Sequence, residues 1–151
     1  KLLEQKLPIE KIVVMVQKEV AERMVAVPGH KIYGALSVSV QYYTQPEMLF
    51  EISPKSFMPA PEVTSAVVAM DVRKQPPVQV KEEKRFFTVV KTAFSQRRKT
   101  FANTLKSAGL SKEQIADILT RSKIDGTRRG ETMSLEEFAR VADAWTDILQ
   151  Q

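Results

Sequence analysis

Residues 9–16 read IEKIVVMV, and the five residues from Ile12 to Val16 are apolar without interruption. A run of that length, rich in Val and Ile, reads as a strand buried on both faces, the kind found in parallel sheets covered by helices. The period then changes. In QKEVAERMVAV (17–27), Val20, Ala21, Met24 and Val25 recur at helical spacing, and Pro28-Gly29 ends the helix. After the loop HKIYG, the stretch ALSVSVQYY (35–43) fits helix and strand equally by pattern. EMLFEI (47–52) and SAVVAMDV (65–72) read as strands. The order is β-α-α-β-β, the back half of an α/β sheet, with the two late strands forming an antiparallel hairpin at an edge.

This α/β segment occupies residues 1–75. Residues 76–81, PPVQVK, have adjacent prolines and no helical period, and read as a linker. Residues 82–151 read as helical throughout. Phe86, Val90, Phe94, Phe101 and Leu105 keep an apolar stripe with a break near Ser95–Gln96. Ser111 with Gln114, and Ser134 with Glu137, fit the capping box, in which the Ser hydroxyl and the third residue satisfy each other's backbone N–H groups. Gly109 sits where a helix-terminating glycine belongs. Leu135, Phe138, Ala142, Trp145 and Leu149 line one face of the last helix, a core stripe.

The chain has 151 residues, no cysteine and a single histidine, His30. Disulfides, cysteine-ligated metals and histidine-based metal centres are excluded, and a reducing compartment, the cytoplasm, is the expected location. No apolar run approaches the roughly 20 residues of a membrane span, so no membrane partner is expected. The opening KLLEQKLPIEK lacks an initiator Met and reads as an amphipathic helix entered midway. The sequence is expected to be a piece of a longer one.

The formal charge of +5 is unevenly placed. Residues 1–80 carry a net +1 and residues 130–151 a net −4, while residues 81–129 hold 13 Lys+Arg against 5 Asp+Glu, a net +8. A block of that sign points to a polyanion, most simply nucleic acid. Solvated helix faces would carry the same composition. On a helix starting near Glu83, Lys84, Lys91 and Arg98 recur every seven residues and share one side, with Thr88 and Ser95 between them. Arg97, Arg98 and Lys99 stand at a helix junction, where free N–H groups can bind phosphate. Arg128 and Arg129 lie in a Gly-flanked loop. These seven cations, Lys84, Lys91, Arg97, Arg98, Lys99, Arg128 and Arg129, are the candidate nucleic-acid contacts, of the kind that positions a protein without reading sequence.

Between the late strands lies FMPAPEVTSAV (57–67). Pro59 and Pro61 remove two backbone donors and fix φ, so the segment is expected to be an extended, stiff arm that pairs with no strand. Phe57 would be held at the sheet's end, where open α/β sheets bind ligands and an aromatic ring can stack on a planar group. A core plug explains the same Phe.

Five stretches, QKEVAERM, YGALSVSVQYY, FMPAPEVTSAVV, FSQRRKTFANTL and RRGETMSLEEF, in this order and spacing, resemble the ribosomal RNA adenine N6,N6-dimethyltransferase family, above all its bacterial small-subunit branch. The resemblance covers nearly the whole chain. It implies S-adenosylmethionine as cofactor, small-subunit rRNA in an assembling subunit as partner, and a Rossmann-like methyltransferase sheet followed by a small all-α C-terminal domain that binds RNA. This sequence would supply the late strands of that sheet and the helical domain. The Gly-rich turn, the ribose-binding acid and the Asn-x-Pro-Tyr-type motif are expected upstream of Lys1, so no catalytic or cofactor residue is assigned and the chain alone is expected to be inactive.

What the resemblance carries over is substrate handling. Phe57, Pro59, Pro61, Val63 and Ser65 match an F-x-P-x-P-x-V-x-S motif whose Phe lies where a flipped target base stacks. Arg97, Arg98 and Lys99 match a basic signature of the domain that faces rRNA. A non-enzymatic RNA-binding or ribosome-assembly module, or a DNA-binding relative of the same ancestry, is the alternative. If the chain begins at Lys1, the outer edge of the Ile12–Val16 strand is unpaired and invites self-association.

Overall fold

The computed structural model describes residues 1–151, which divide into two compact units. The first holds residues 1–27 and 36–76, and the second residues 28–35 and 77–151. The short loop 28–35, flanked in sequence by sheet elements, therefore packs with the helices.

The first unit is a three-stranded sheet with two helices. Strand β1 (Lys11–Gln17) runs directly into α1 (Lys18–Val25), then α2 (Ala35–Tyr43), β2 (Thr44–Ile52) and β3 (Ser65–Val72) follow. The strand order is β1-β3-β2, and β3 pairs antiparallel with both neighbours. The late hairpin is thus antiparallel as expected, with β2 at an edge. Pro46 sits in that edge strand, where a missing donor costs no ladder bond on the open side.

Two expectations fail here. β1 lies in an antiparallel pair, and only one of its faces is covered. Ile12, Val14 and Val16 pack on the core of Ala21, Met24, Val40, Ala66, Val68 and Met70, while Val13 and Met15 are 57% and 53% exposed. Helices α1 and α2 both give side chains to the same face of the sheet, and no other element of the first unit covers the opposite one. Residues 1–10 form turns and not the anticipated helix. Lys6 has φ of +48°, a left-handed conformation that a helix interior does not accept, and Pro8 follows it.

The helix reading of 35–43 is settled by capping across elements. Helix α1 stops at Val25, where Ala26 turns to extended backbone (ψ 148°) two residues ahead of Pro28. Its free carbonyls are then met by α2: Gln41 Nε2 donates to Met24 O and Ala26 O at 3.2 and 2.7 Å, and Ser37 Oγ donates to Arg23 O.

The second unit contains α3 (Glu83–Ala93), α4 (Phe101–Ser107), α5 (Lys112–Ser122) and α6 (Leu135–Leu149). Its core holds most of the expected stripes: Phe86, Val90, Phe101 and Leu105 are buried with Phe138, Ala142 and Trp145 of α6, whereas Phe94 and Leu135 are half-buried and Leu149, at the end of α6, is 51% exposed. Both capping boxes form. Gly109, with φ of +96°, follows the end of α4 as a terminating glycine should. The loop 28–35 is pinned to this unit by Gly29 N–H donating to Glu131 O (2.7 Å) and by buried Tyr33, whose hydroxyl donates to Met133 O (2.8 Å). Burial raises the Tyr33 pKa above the phenol range, so the hydroxyl stays a donor.

Candidate nucleic-acid interface

Helix α3 ends at Ala93, seven residues before the Thr100 cap of α4. Arg97, Arg98 and Lys99 therefore occupy a turn, not a helix. The stripe Lys84–Lys91–Arg98 is cut: Lys84 and Lys91 are exposed on α3, but Arg98 leaves their line and joins α4. There it lines an open groove of about 590 Å³ with Lys99, Thr100, Asn103, Lys106 and Ser107. No carboxylate lines this groove. Lys106 escaped the sequence reading, although Asn103, Lys106 and Ser107 stand at i, i+3 and i+4, the spacing of one helix face.

The first three N–H groups of α4 are taken within the fold. Phe101 N–H donates to Arg128 O (2.7 Å), Ala102 N–H to Gly126 O (3.0 Å) and Asn103 N–H to Thr100 Oγ1 (3.4 Å). The start of α4 is capped by the loop that precedes α6, so the side chains of Arg98, Lys99 and Lys106 are the charged groups that the groove presents.

The seven candidate cations separate by what they already hold. Arg97 Nη2 donates to Lys31 O at 2.6 Å, tying the basic turn to the loop 28–35. Arg128 is consumed more fully. Its guanidinium grips both carboxylate oxygens of Glu137 and also donates to Thr132 O (2.7 Å). That grip, with help from the Ser134 backbone, pulls the Glu137 pKa down to about 2, while Arg128 is raised. Arg128 and Arg129 stay adjacent in sequence but part in role: Arg129 is exposed and has no ion-pair partner. Lys84, Lys91, Arg98, Lys99 and Lys106 are exposed and likewise unpaired with any acid.

Phe57 lies elsewhere, in the first unit. The β2–β3 loop leaves the sheet at the Ile52–Ser65 pair, and Ser65 also pairs with Gln17, so this loop stands at the C-terminal end of β1. A 3-10 turn, Pro54–Ser56, is capped by Ser53 and leads into Phe57, which is half-buried. Residues 57–64 pair with no strand, as two prolines require. They bend at 57–59, so the straight arm is not what forms; Met58, Pro59 and Pro61 are exposed and the Met58–Pro59 peptide is cis. The far end of the loop is anchored by Lys18 N–H donating to Thr64 O at 2.9 Å. Beside it Gln17, Lys18, Glu19, Glu22, Val63 and Thr64 line a cleft of about 350 Å³. Phe57 and the basic groove thus belong to different units.

No helix is long and apolar enough to cross a membrane. The model of the family described as "Ribosomal RNA adenine dimethylase" matches residues 1–147. The chain is 48% identical over 153 aligned positions to the ribosomal RNA small subunit methyltransferase A of Geobacillus sp. (strain WCH70), covering 99% of this chain and 53% of that protein. It is 54% identical over 143 positions to the protein of the same name from Desulfitobacterium hafniense, covering 94% of this chain and 51% of that one. The chain spans about half the length of the curated relatives it matches. Among solved structures, a dimethyladenosine transferase from Plasmodium falciparum shares the fold over 92% of this chain and 58% of its own, with TM-score 0.77 and 21% identity. The 23S rRNA methyltransferase ErmE does so over 93% and 57%, with TM-score 0.61 and 19% identity. The match to 147 consecutive residues and the near-half identity to these relatives place the chain in the ribosomal RNA adenine dimethylase family.

Proposed function

We propose that this chain is the RNA-anchoring and base-holding part of a cytoplasmic small-subunit rRNA adenine N6,N6-dimethyltransferase. In this reading the sheet unit supplies late strands of a Rossmann-like methyltransferase domain, with Phe57 as a stacking surface for a flipped adenine. The helical unit grips the phosphate backbone.

The methyl donor of this activity is S-adenosylmethionine. The residues of this chain do not fit its methionine end, which needs a Gly-rich strand-to-helix turn. β1 passes into α1 at Gln17–Lys18 without a glycine, and none of the five glycines follows a strand. The work assigned to this chain is therefore binding and positioning, and alone it is expected to bind RNA without transferring methyl groups.

The observation that carries the proposal is the groove with Arg98, Lys99 and Lys106 on its wall and no acid among its lining residues. Charge without a matched partner is what a polyanion can use, since each neutralised phosphate releases counterions. The test is titration of a labelled rRNA hairpin against wild type and the triple variant Arg98→Ala, Lys99→Ala, Lys106→Ala at several salt concentrations. Affinity should fall, and the slope of log K against log[salt] should flatten by up to roughly one for each lost phosphate contact. Unchanged affinity with an unchanged slope would return the groove to an ordinary solvated surface.

A further inference from the structure

We infer that Glu137 and Arg128 are positioning residues for the RNA groove, so that a carboxylate in a basic domain promotes the binding of a polyanion. The inference rests on the reading that the Arg98–Lys99–Lys106 groove holds RNA.

The connection can be followed atom by atom. Glu137 is the third residue of α6, and its Oε1 accepts from Ser134 N–H at 3.1 Å while the carboxylate also receives the Arg128 fork. That fork fixes the loop that carries Arg128. The same loop is tightened from within, because Asp125 Oδ1 accepts from Thr127 N–H (2.9 Å) and Thr127 Oγ1 (2.7 Å). Its carbonyls at Gly126 and Arg128 then hold the Ala102 and Phe101 N–H groups that begin α4. Asn103, Lys106 and Ser107 sit within the next turn and a half and line the groove. The start of α6 thus sets the start of α4 through one ion pair and one loop.

The sign of the effect separates this from its rivals. If Arg128 contacted phosphate itself, Glu137 would compete with RNA for it, and neutralising Glu137 would raise affinity. Simple electrostatics also favours tighter polyanion binding when an acid is removed. Positioning requires the reverse. Glu137→Gln is the sharp variant: Gln Oε1 keeps the cap on Ser134 and the bond from Arg128 Nη2, but its amide nitrogen replaces Oε2 and faces Arg128 Nη1, donor against donor, so the fork is broken.

The experiment measures anisotropy of a fluorescein-labelled rRNA hairpin with the intact protein, at a temperature where circular dichroism shows every variant folded. Glu137→Gln should weaken binding roughly three- to tenfold and speed amide exchange at Phe101 and Ala102. The swap Arg128→Glu with Glu137→Arg should regain most of the affinity at unchanged net charge. Arg128→Lys keeps the charge but loses the fork, so it should weaken binding too, and it decides the matter if Glu137→Gln does not fold. Equal or tighter binding by Glu137→Gln, or full affinity in Arg128→Lys, overturns the inference. Lys106→Ala is the separate control. If it binds as wild type, the groove itself is not the RNA site and the inference falls with it; if it weakens while the Glu137 and Arg128 variants do not, only the positioning role is lost.

Discussion

Gly130 is where one methyl group tests how the second unit is put together. A Cβ there would lie 2.8 Å from the Ala93 carbonyl oxygen, 2.9 Å from Ala93 Cβ and 3.1 Å from Ala93 C. These atoms end α3, and two of the three are backbone, so no side-chain rotation relieves the contact. Gly130→Ala must therefore push the Gly130–Thr132 turn away from α3. Overpacking of this kind costs roughly 1–3 kcal/mol. For a unit of this size each kcal/mol lowers Tm by roughly 4–8 °C, so the expected drop is about 5–20 °C. The assay is a thermal melt followed by circular dichroism, with Ala93→Gly as the second arm of a double-mutant cycle. Removing the Ala93 methyl relieves the 2.9 Å contact but not the one to the carbonyl oxygen, so the double variant should recover only part of the loss. A Gly130→Ala protein melting within a degree of wild type would show that the turn does not approach α3 as described. The substitution changes no charge, so any loss of RNA affinity in folded protein would be a matter of geometry.

Phe57→Ala in the intact protein should cut methylation far more than rRNA affinity; stacking worth roughly 1–3 kcal/mol corresponds to about 5- to 160-fold in turnover, and equal loss of both would make Phe57 a core plug. Acid should unfold the second unit partly through Glu137. Its pKa falls from 4.5 to about 2 on folding, so its stabilisation is present above pH 4.5 and lost as pH falls toward 2. At full value that shift equals about 3 kcal/mol, and with solvent reaching the pair we expect about 1–2; urea melts of wild type and Glu137→Gln should differ by that much at pH 7 and converge near pH 2. The isolated chain should self-associate through β1, whose Val13 and Met15 are exposed; sedimentation should show it, and Met15→Lys should reduce it. A concentration-independent monomer would refute that.

Local chemistry was the most legible part of the sequence. Ser111 with Gln114 and Ser134 with Glu137 announced two helix starts, because a capping box needs only four residues and no tertiary partner. The break after Phe94 was legible because the apolar stripe lost its period. Residues 35–43 were not, since buried Val38, Val40 and Tyr42 alternate as a strand would. The helix there is set by what Ser37 and Gln41 cap on α1, which no window on 35–43 contains. The Ile12–Val16 run misled for a related reason: apolar character on both sides of a strand says that both faces can be covered, and within the first unit only one is. At the groove, Lys106 was concealed by being alone. It joins Arg98 and Lys99 only because the chain turns back between Ser95 and Thr100.

The seven candidate cations show why a charge count finds a partner class before it finds a site. All 13 basic residues of 81–129 contribute equally to the +8, but the fold spends them unequally. Lys81, Arg121 and Arg128 are committed to acids, Arg97 to a backbone carbonyl, and Arg85 lies 5.2 Å over the Trp145 ring. Arginine is the residue suited to such commitments, because its fork holds two acceptors at once, as at Glu137 and Thr132, and a lysine cannot replace it there. Lysine, a single strongly hydrated charge, is left at the surface: Lys84, Lys91, Lys99 and Lys106 are all exposed and unpaired. The sequence signal RRK at 97–99 therefore divides in three dimensions. Its first residue holds the turn in place, and Arg98 and Lys99 face the groove. Arg97→Ala should thus lower RNA affinity with little change of salt slope, whereas Lys99→Ala should change both, a difference that titration across salt concentrations reads directly. An equal flattening of slope in the two variants would mean that Arg97 contacts phosphate as its neighbours do.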